Sequence, residues 1–170
     1  MIATSHVIIG GAVGIAVGTV TQNPAVALAA GIASHLICDA IPHLDTPFRM
    51  EFKDGYVDQP IWNKKLYIWA ITDSLVAFLL TLFLWQRYFD FYFFAPFAWG
   101  TLGGYLPDLL DNFPLWSIQI RQFPGLKQFH ALHLDIHNLW QFKFPMPDNW
   151  PLGTATQIAF VLPCLWYIIR

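Results

Sequence analysis

His35 and Asp39 stand four residues apart in an apolar stretch, Gly31-Ile-Ala-Ser-His35-Leu-Ile-Cys-Asp39, and His43 follows four residues later. On a helix this spacing aligns the side chains along one stripe, with Pro42 a point at which the helix can end before His43. His130, His133 and His137 repeat the logic at i, i+3 and i+7. Imidazole nitrogen and carboxylate oxygen suit Zn²⁺, with Mn²⁺ or Fe²⁺ as alternatives, and the ligands are numerous enough for one or two ions.

The carboxylates sharpen this expectation. An ionised Asp within an apolar bilayer helix is penalised by about 2.5–3.5 kcal/mol on insertion scales, so such residues tend to be paired, cavity-facing or functional. Asp39, Asp73, Asp108 and Asp111 all lie in apolar stretches with no Lys or Arg among them. A bound cation would neutralise them. The candidate ligands are therefore His6, His35, Asp39, His43, Asp73, Asp108, His130, His133 and His137. Asp111, with Asp45 as the lesser alternative, is the candidate base for the proton of an attacking water. Structural roles compete with each assignment. His6 could simply begin a helix, Asp45 or Asp111 could cap or solvate one, Asp73 could be a buried hydrogen-bonding residue, and the histidine triplet could be the wet face of a surface helix.

These residues are positioned by a chain that is 56% hydrophobic and 12% charged over 170 residues, where soluble domains carry about 25% charged residues. The composition predicts a single all-α, multi-pass membrane domain over residues 1–170, with five hydrophobic helices near 6–20, 25–41, 66–85, 92–111 and 152–169. An amphipathic helix near 126–141 would lie on the membrane surface, because Phe129, Leu132, Ile136, Leu139 and Trp140 recur at helical spacing. The first two helices are short, joined by the turn Thr21-Gln22-Asn23-Pro24, and a re-entrant hairpin is one reading of them. Gly10, Gly14 and Gly18 form a stripe that admits another helix backbone at close range. Gly31 precedes Asp39 by eight residues, as Gly100 precedes Asp108, a faint internal echo.

Other classes are disfavoured. A net charge of -2 and nine Lys and Arg residues without a basic run exclude an electrostatic nucleic-acid binder. Cys38 and Cys164, each in an apolar stretch, define neither a disulfide framework nor a thiolate metal site. Nothing basic precedes the first apolar run, so it reads as a retained helix rather than a cleaved leader. Arg49, Lys53, Lys64, Lys65, Arg121, Lys127 and Lys143 fall on one side of a five-helix topology and only Arg87 and Arg170 on the other. The positive-inside rule then puts the N-terminus and both long loops in the cytoplasm of a cell (inner) membrane, and every His with them.

Gly31-x-x-Ser34-His35-x-x-x-Asp39 resembles the G-x-x-S-H-x-x-x-D signature of the bacterial membrane-bound metal-dependent hydrolases, and Leu106-Pro107-Asp108 resembles their L-P-D element. His6 on a glycine-rich first helix fits the same pattern. The family's H-R-G-x-T-H-S stretch has no counterpart, and the histidine triplet stands in its place. His-x-x-x-Asp on a helix is also similar, more loosely, to zinc-dependent phospholipase C. The resemblance implies hydrolysis of a phosphoester or another lipid-linked bond. The competing expectations are an ion or small-solute transporter, which would continue polar residues across the bilayer, and a scaffold holding a closed structural metal.

Overall fold

The computed structural model describes residues 1–46, 62–87, 91–140 and 149–170. Among them are seven helices and no strand: α1 (Ala3–Thr21), α2 (Pro24–Asp39), α3 (Lys64–Arg87), α4 (Phe91–Asp111), α5 (Ser117–Ile120), α6 (Pro124–His137) and α7 (Trp150–Ile169). Helices α1–α4 and α7 fall at the five expected positions, three of them, α1, α3 and α7, long and apolar, and α6 falls where the amphipathic helix was expected. The single turn α5 is an addition. Arg49, Lys53 and Lys143, used above for sidedness, lie outside the described residues.

The helix ends differ from the sequence-based ranges for local reasons. α1 starts three residues earlier because its first free amides find a partner. Asp73 Oδ2 accepts from the Ala3 N–H at 2.6 Å, and Asp73 Oδ1 from the Thr4 N–H and hydroxyl at 3.2 and 2.6 Å. α2 opens with Pro24 at its first turn and Asn23 as N-cap, whose Oδ1 accepts from the Ala25 N–H. It ends at Asp39, not 41, since Pro42 disfavours helical backbone at Ile41. Asn63 caps α3 by accepting from the Lys65 and Leu66 amides. α6 begins at Pro124 and stops at His137, short of the expected 141.

α1 occupies the middle, packed on α4, α2, α7 and α3. α1, α3 and α7 are each long and apolar enough to cross a membrane, but 67% of the α1 stretch is buried against 11% for α3 and 17% for α7. The outer pair instead turn Phe78, Phe83, Leu162 and Trp166 outward. α2, at 16 residues, rises only about 24 Å, short of a hydrocarbon core of about 30 Å.

The glycine stripe of α1 meets α4. A Cβ on Gly10 would fall 2.5 Å from the Gly100 carbonyl oxygen and 2.9 Å from the Gly104 Cα, and one on Gly31 of α2 would collide with the same Gly100 carbonyl. The echo between Gly31 and Gly100 is thus a physical contact. His6 precedes Gly10 by four residues, His35 follows Gly31 by four and Asp108 follows Gly104 by four. The glycine contacts set the axial register that brings all three to one end of the bundle.

Candidate metal centre

Two groups of side chains at that end can each hold a metal ion: His35, Asp39, Asp108 and His133, and Asp39, His43 and His137, with the ligand atoms of each group within 4.8 Å of one another. Asp39 belongs to both and is fully buried. Around its Oδ2 lie His35 Nε2 at 2.9 Å, His133 Nε2 at 3.1 Å and His137 Nε2 at 3.1 Å. Asp108 Oδ1 is 3.9 Å from His35 Nε2. A tetrahedral Zn²⁺ with bonds of about 2.0–2.1 Å has ligands about 3.3–3.4 Å apart. The observed separations bracket that edge.

The outward nitrogens are tied down, as metal-binding imidazoles require. His35 Nδ1 donates to the Gly104 carbonyl at 2.7 Å and His43 Nδ1 to the Ile41 carbonyl at 2.6 Å, leaving each Nε2 as the inward lone pair. His133 Nδ1 is 3.0 Å from Asp111 Oδ2. α6 therefore turns its histidine face inward, with His133 buried, while Leu132 stays exposed, as do Leu139 and Trp140 just past its end. The wet-face alternative for the triplet runs opposite to this arrangement.

His6 borders the first group. Its ring stacks on that of His35 at 3.8 Å between centroids, and Nε2 lies 3.1 Å from Asp39 Oδ1 and 3.8 Å from Asp108 Oδ2. Neither of its ring nitrogens has the alignment of a hydrogen bond. A buried imidazole left this way fits a place beside a cation's ligand set.

Asp73 and His130 lie outside both groups. Asp73 is engaged by the start of α1, as described above. His130 Nδ1 meets the Asp111 oxygens at 2.8 and 2.9 Å. Asp111, the candidate base, is also approached by His133 and by Arg121 Nε at 2.9 Å. Three side chains on two oxygens leave it little room to take a proton, and its geometry is that of a carboxylate orienting His133. Asp45, the lesser alternative, instead lies 2.8 Å from His43 Nε2.

Three participants escaped the sequence reading. Arg121 follows Asp111 by ten residues, across a turn whose geometry no periodicity encodes. The Gly104 carbonyl carries no side-chain signal at all. The third is the Met1 ammonium, 2.7 Å from Asp39 Oδ1 and 2.8 Å from Asp45 Oδ1. Burial pulls its pKa down, but the carboxylates of Asp39, Asp45 and Asp108 outweigh this and raise it to about 11. For His133, burial also opposes the charged form, and the bonds to Asp111 and Asp39 still lift its pKa to about 10. His43 and the Met1 ammonium hold Asp45 well below the usual carboxylate range in spite of burial.

No family model, curated protein or solved structure matches the chain.

Proposed function

We propose that this chain is a multi-pass membrane hydrolase that uses a divalent cation, Zn²⁺ by its ligand types, on a phosphoester or another lipid-linked bond. The observation that carries the reading is the His35, Asp39, Asp108 and His133 group, drawn from α2, α4 and α6 with the outward nitrogens of both histidines fixed. A divalent ion held there would act as a Lewis acid and lower the pKa of a water.

The chain's own residues do the rest. Asp39 and Asp108 supply negative charge, His35 and His133 supply neutral nitrogen, and Asp111 orients His133. His6 completes the set from α1. The Asp108 side chain keeps 17% of its surface exposed and that of His137 16%. Water therefore has a way in, which favours catalysis over a closed structural site. Between His6 and Thr19, α1 carries no polar side chain, so this helix offers no file along which an ion path could lead away from the site.

The exposed apolar faces of α3 and α7 support membrane embedding, since soluble monomers rarely expose apolar patches beyond about 300–600 Å². The bilayer is then the first partner and its lipids the nearest substrates. With the basic loops inside, the N-terminus is cytoplasmic and the site faces the cytoplasm, both when α1 and α2 cross as a pair and when they dip in as a re-entrant hairpin. A periplasm-specific reporter fused after Arg170 should be active, and a cytoplasm-specific one silent.

The deciding experiment is metal analysis of the full chain purified in detergent without chelator, followed by lipid hydrolysis in mixed micelles. The expected result is bound metal, cleavage that stops on chelation and returns with Zn²⁺, and loss of both in Asp39→Ala, Asp108→Ala. Absence of stoichiometric metal overturns the reading. Bound metal with no cleavage of any phosphoester or carboxylic ester of the bilayer lipids overturns its hydrolase part.

A further inference from the structure

The second group has features that a one-ion hydrolase does not use. His43 and Asp45 lie beyond the end of α2, in a segment with no regular structure of its own. Such a segment would ordinarily be a poor place for ligands, because ordering it costs conformational entropy. Here its backbone is gripped from two helices. Thr156 of α7 donates to the Pro42 carbonyl at 2.5 Å, Gln157 of α7 to the Leu44 carbonyl at 2.7 Å, and Trp69 Nε1 of α3 to the Asp45 carbonyl at 3.1 Å. Within the segment, His43 Nδ1 is fixed on the Ile41 carbonyl. Gln157 and His43 are themselves buried. Three side chains from two helices thus hold a short loop in the conformation that aims His43 Nε2 at Asp39 and Asp45.

The charges agree. Asp39 offers Oδ2 to the first group and both oxygens to the second, His137 lying at Oδ2 and His43 at Oδ1. Oδ2 faces His35, His133 and His137, while Oδ1 lies 3.8 Å from His43 Nε2 and 2.7 Å from the Met1 ammonium. The Met1 ammonium, which also meets Asp45 Oδ1 at 2.8 Å, shows that the Oδ1 side draws positive charge, and a second ion between these oxygens would displace it. Beside a first ion, Asp39 would be shared between two positive centres, as a bridging carboxylate is.

We infer that Asp39 bridges two divalent cations, the second held by Asp39, His43, Asp45 and His137. This rests on the first ion of the proposed hydrolase and adds its partner. Carboxylate-bridged ions stand about 3.5–4 Å apart and together clamp the attacking and leaving oxygens of an in-line displacement. Within the proposed class the pair favours phosphoesters, because two non-bridging oxygens of one phosphoryl group can each meet an ion. His43 and Asp45 become ligands supplied by a loop that α3 and α7 hold in place, which explains why α7 reaches to the loop at all.

The test counts ions on the untagged, full-length chain in detergent, reconstituted with Zn²⁺ and dialysed against metal-free buffer. The unmutated protein should retain two per chain, and His43→Ala and His137→Ala one each. One ion per chain in the unmutated protein overturns the second site and leaves the one-ion hydrolase standing. None overturns both. Should the variants fail to fold, electron paramagnetic resonance of the unmutated protein loaded with Mn²⁺ decides the matter. A spin-coupled pair is expected, and the spectrum of isolated ions at full loading overturns the bridge.

Discussion

His35 Nδ1 donates to the carbonyl oxygen of Gly104 at 2.7 Å, so one residue of α4 both admits the backbone of α1 and fixes a ligand of α2. Packing and chemistry are joined at that glycine. A Cβ there would collide with the His6 carbonyl and stand 3.1 Å from the Gly10 Cα, both backbone atoms that cannot swing aside. Gly104→Ala should therefore push α1 from α4, destabilise the fold by about 1–3 kcal/mol, and lower metal content by moving His6 and His35. Gly125→Ala, where nothing lies within 4 Å, is the matched control and should change stability by less than about 0.5 kcal/mol. Thermal unfolding and metal analysis of both variants check the contrast.

Asp111→Asn tests the orienting role. The amide keeps the volume but loses the charge that His130, His133 and Arg121 share. Metal affinity should fall about 10- to 100-fold, the usual loss when the outer partner of a ligating histidine is changed. If Asp111 were the base instead, affinity would hold and only turnover would drop, so competition titration with a chelator separates the two.

Asp73→Ala should do the reverse of a ligand substitution. Its carboxylate caps α1 from α3 through Ala3 and Thr4, and loss of a cap costs about 0.5–2 kcal/mol. The unfolding midpoint should drop while metal per chain stays unchanged. A loss of metal at unchanged stability would return Asp73 to the ligand set.

The proton on His133 gives a pH dependence of known sign. Its pKa is raised to about 10 in the metal-free fold, above the usual 6.5 of histidine. The stabilisation it brings is therefore complete below about pH 6.5 and is lost as pH rises towards 10. Metal-free protein should weaken over that window in denaturant melts. A cation must displace the same proton, so apparent affinity should rise with pH, by about tenfold per unit while one proton is released. Flat melts and flat affinity would both contradict this account of His133.

Much of this was legible in local spacing. His35 and Asp39 meet because four residues make one turn, and α1 meets α4 because a stripe of glycine leaves backbone exposed. The partners of Asp73 and Asp111 were not legible, for a physical reason. An apolar stretch reports that a carboxylate needs company, but not whether that company is a cation, a helix start or an arginine across a turn. Asp73 found the free amides of α1, and Asp111 found Arg121, His130 and His133. The loop from Pro42 to Asp45 was equally opaque, since its order comes from Thr156, Gln157 and Trp69, all distant in sequence.

The position of α6 carries one more consequence. It rests chiefly on α2 and α4 and presents apolar residues outward, so its attachment runs largely through His130, His133 and His137. His35 and His133 are 98 residues apart along the chain. An ion held between them would be a crosslink in the polymer sense, closing a long loop and removing entropy from the unfolded chain as a disulfide does. Cys38 and Cys164 remain free thiols. The staple of this fold would then be coordinative, indifferent to reductants and opened by chelators.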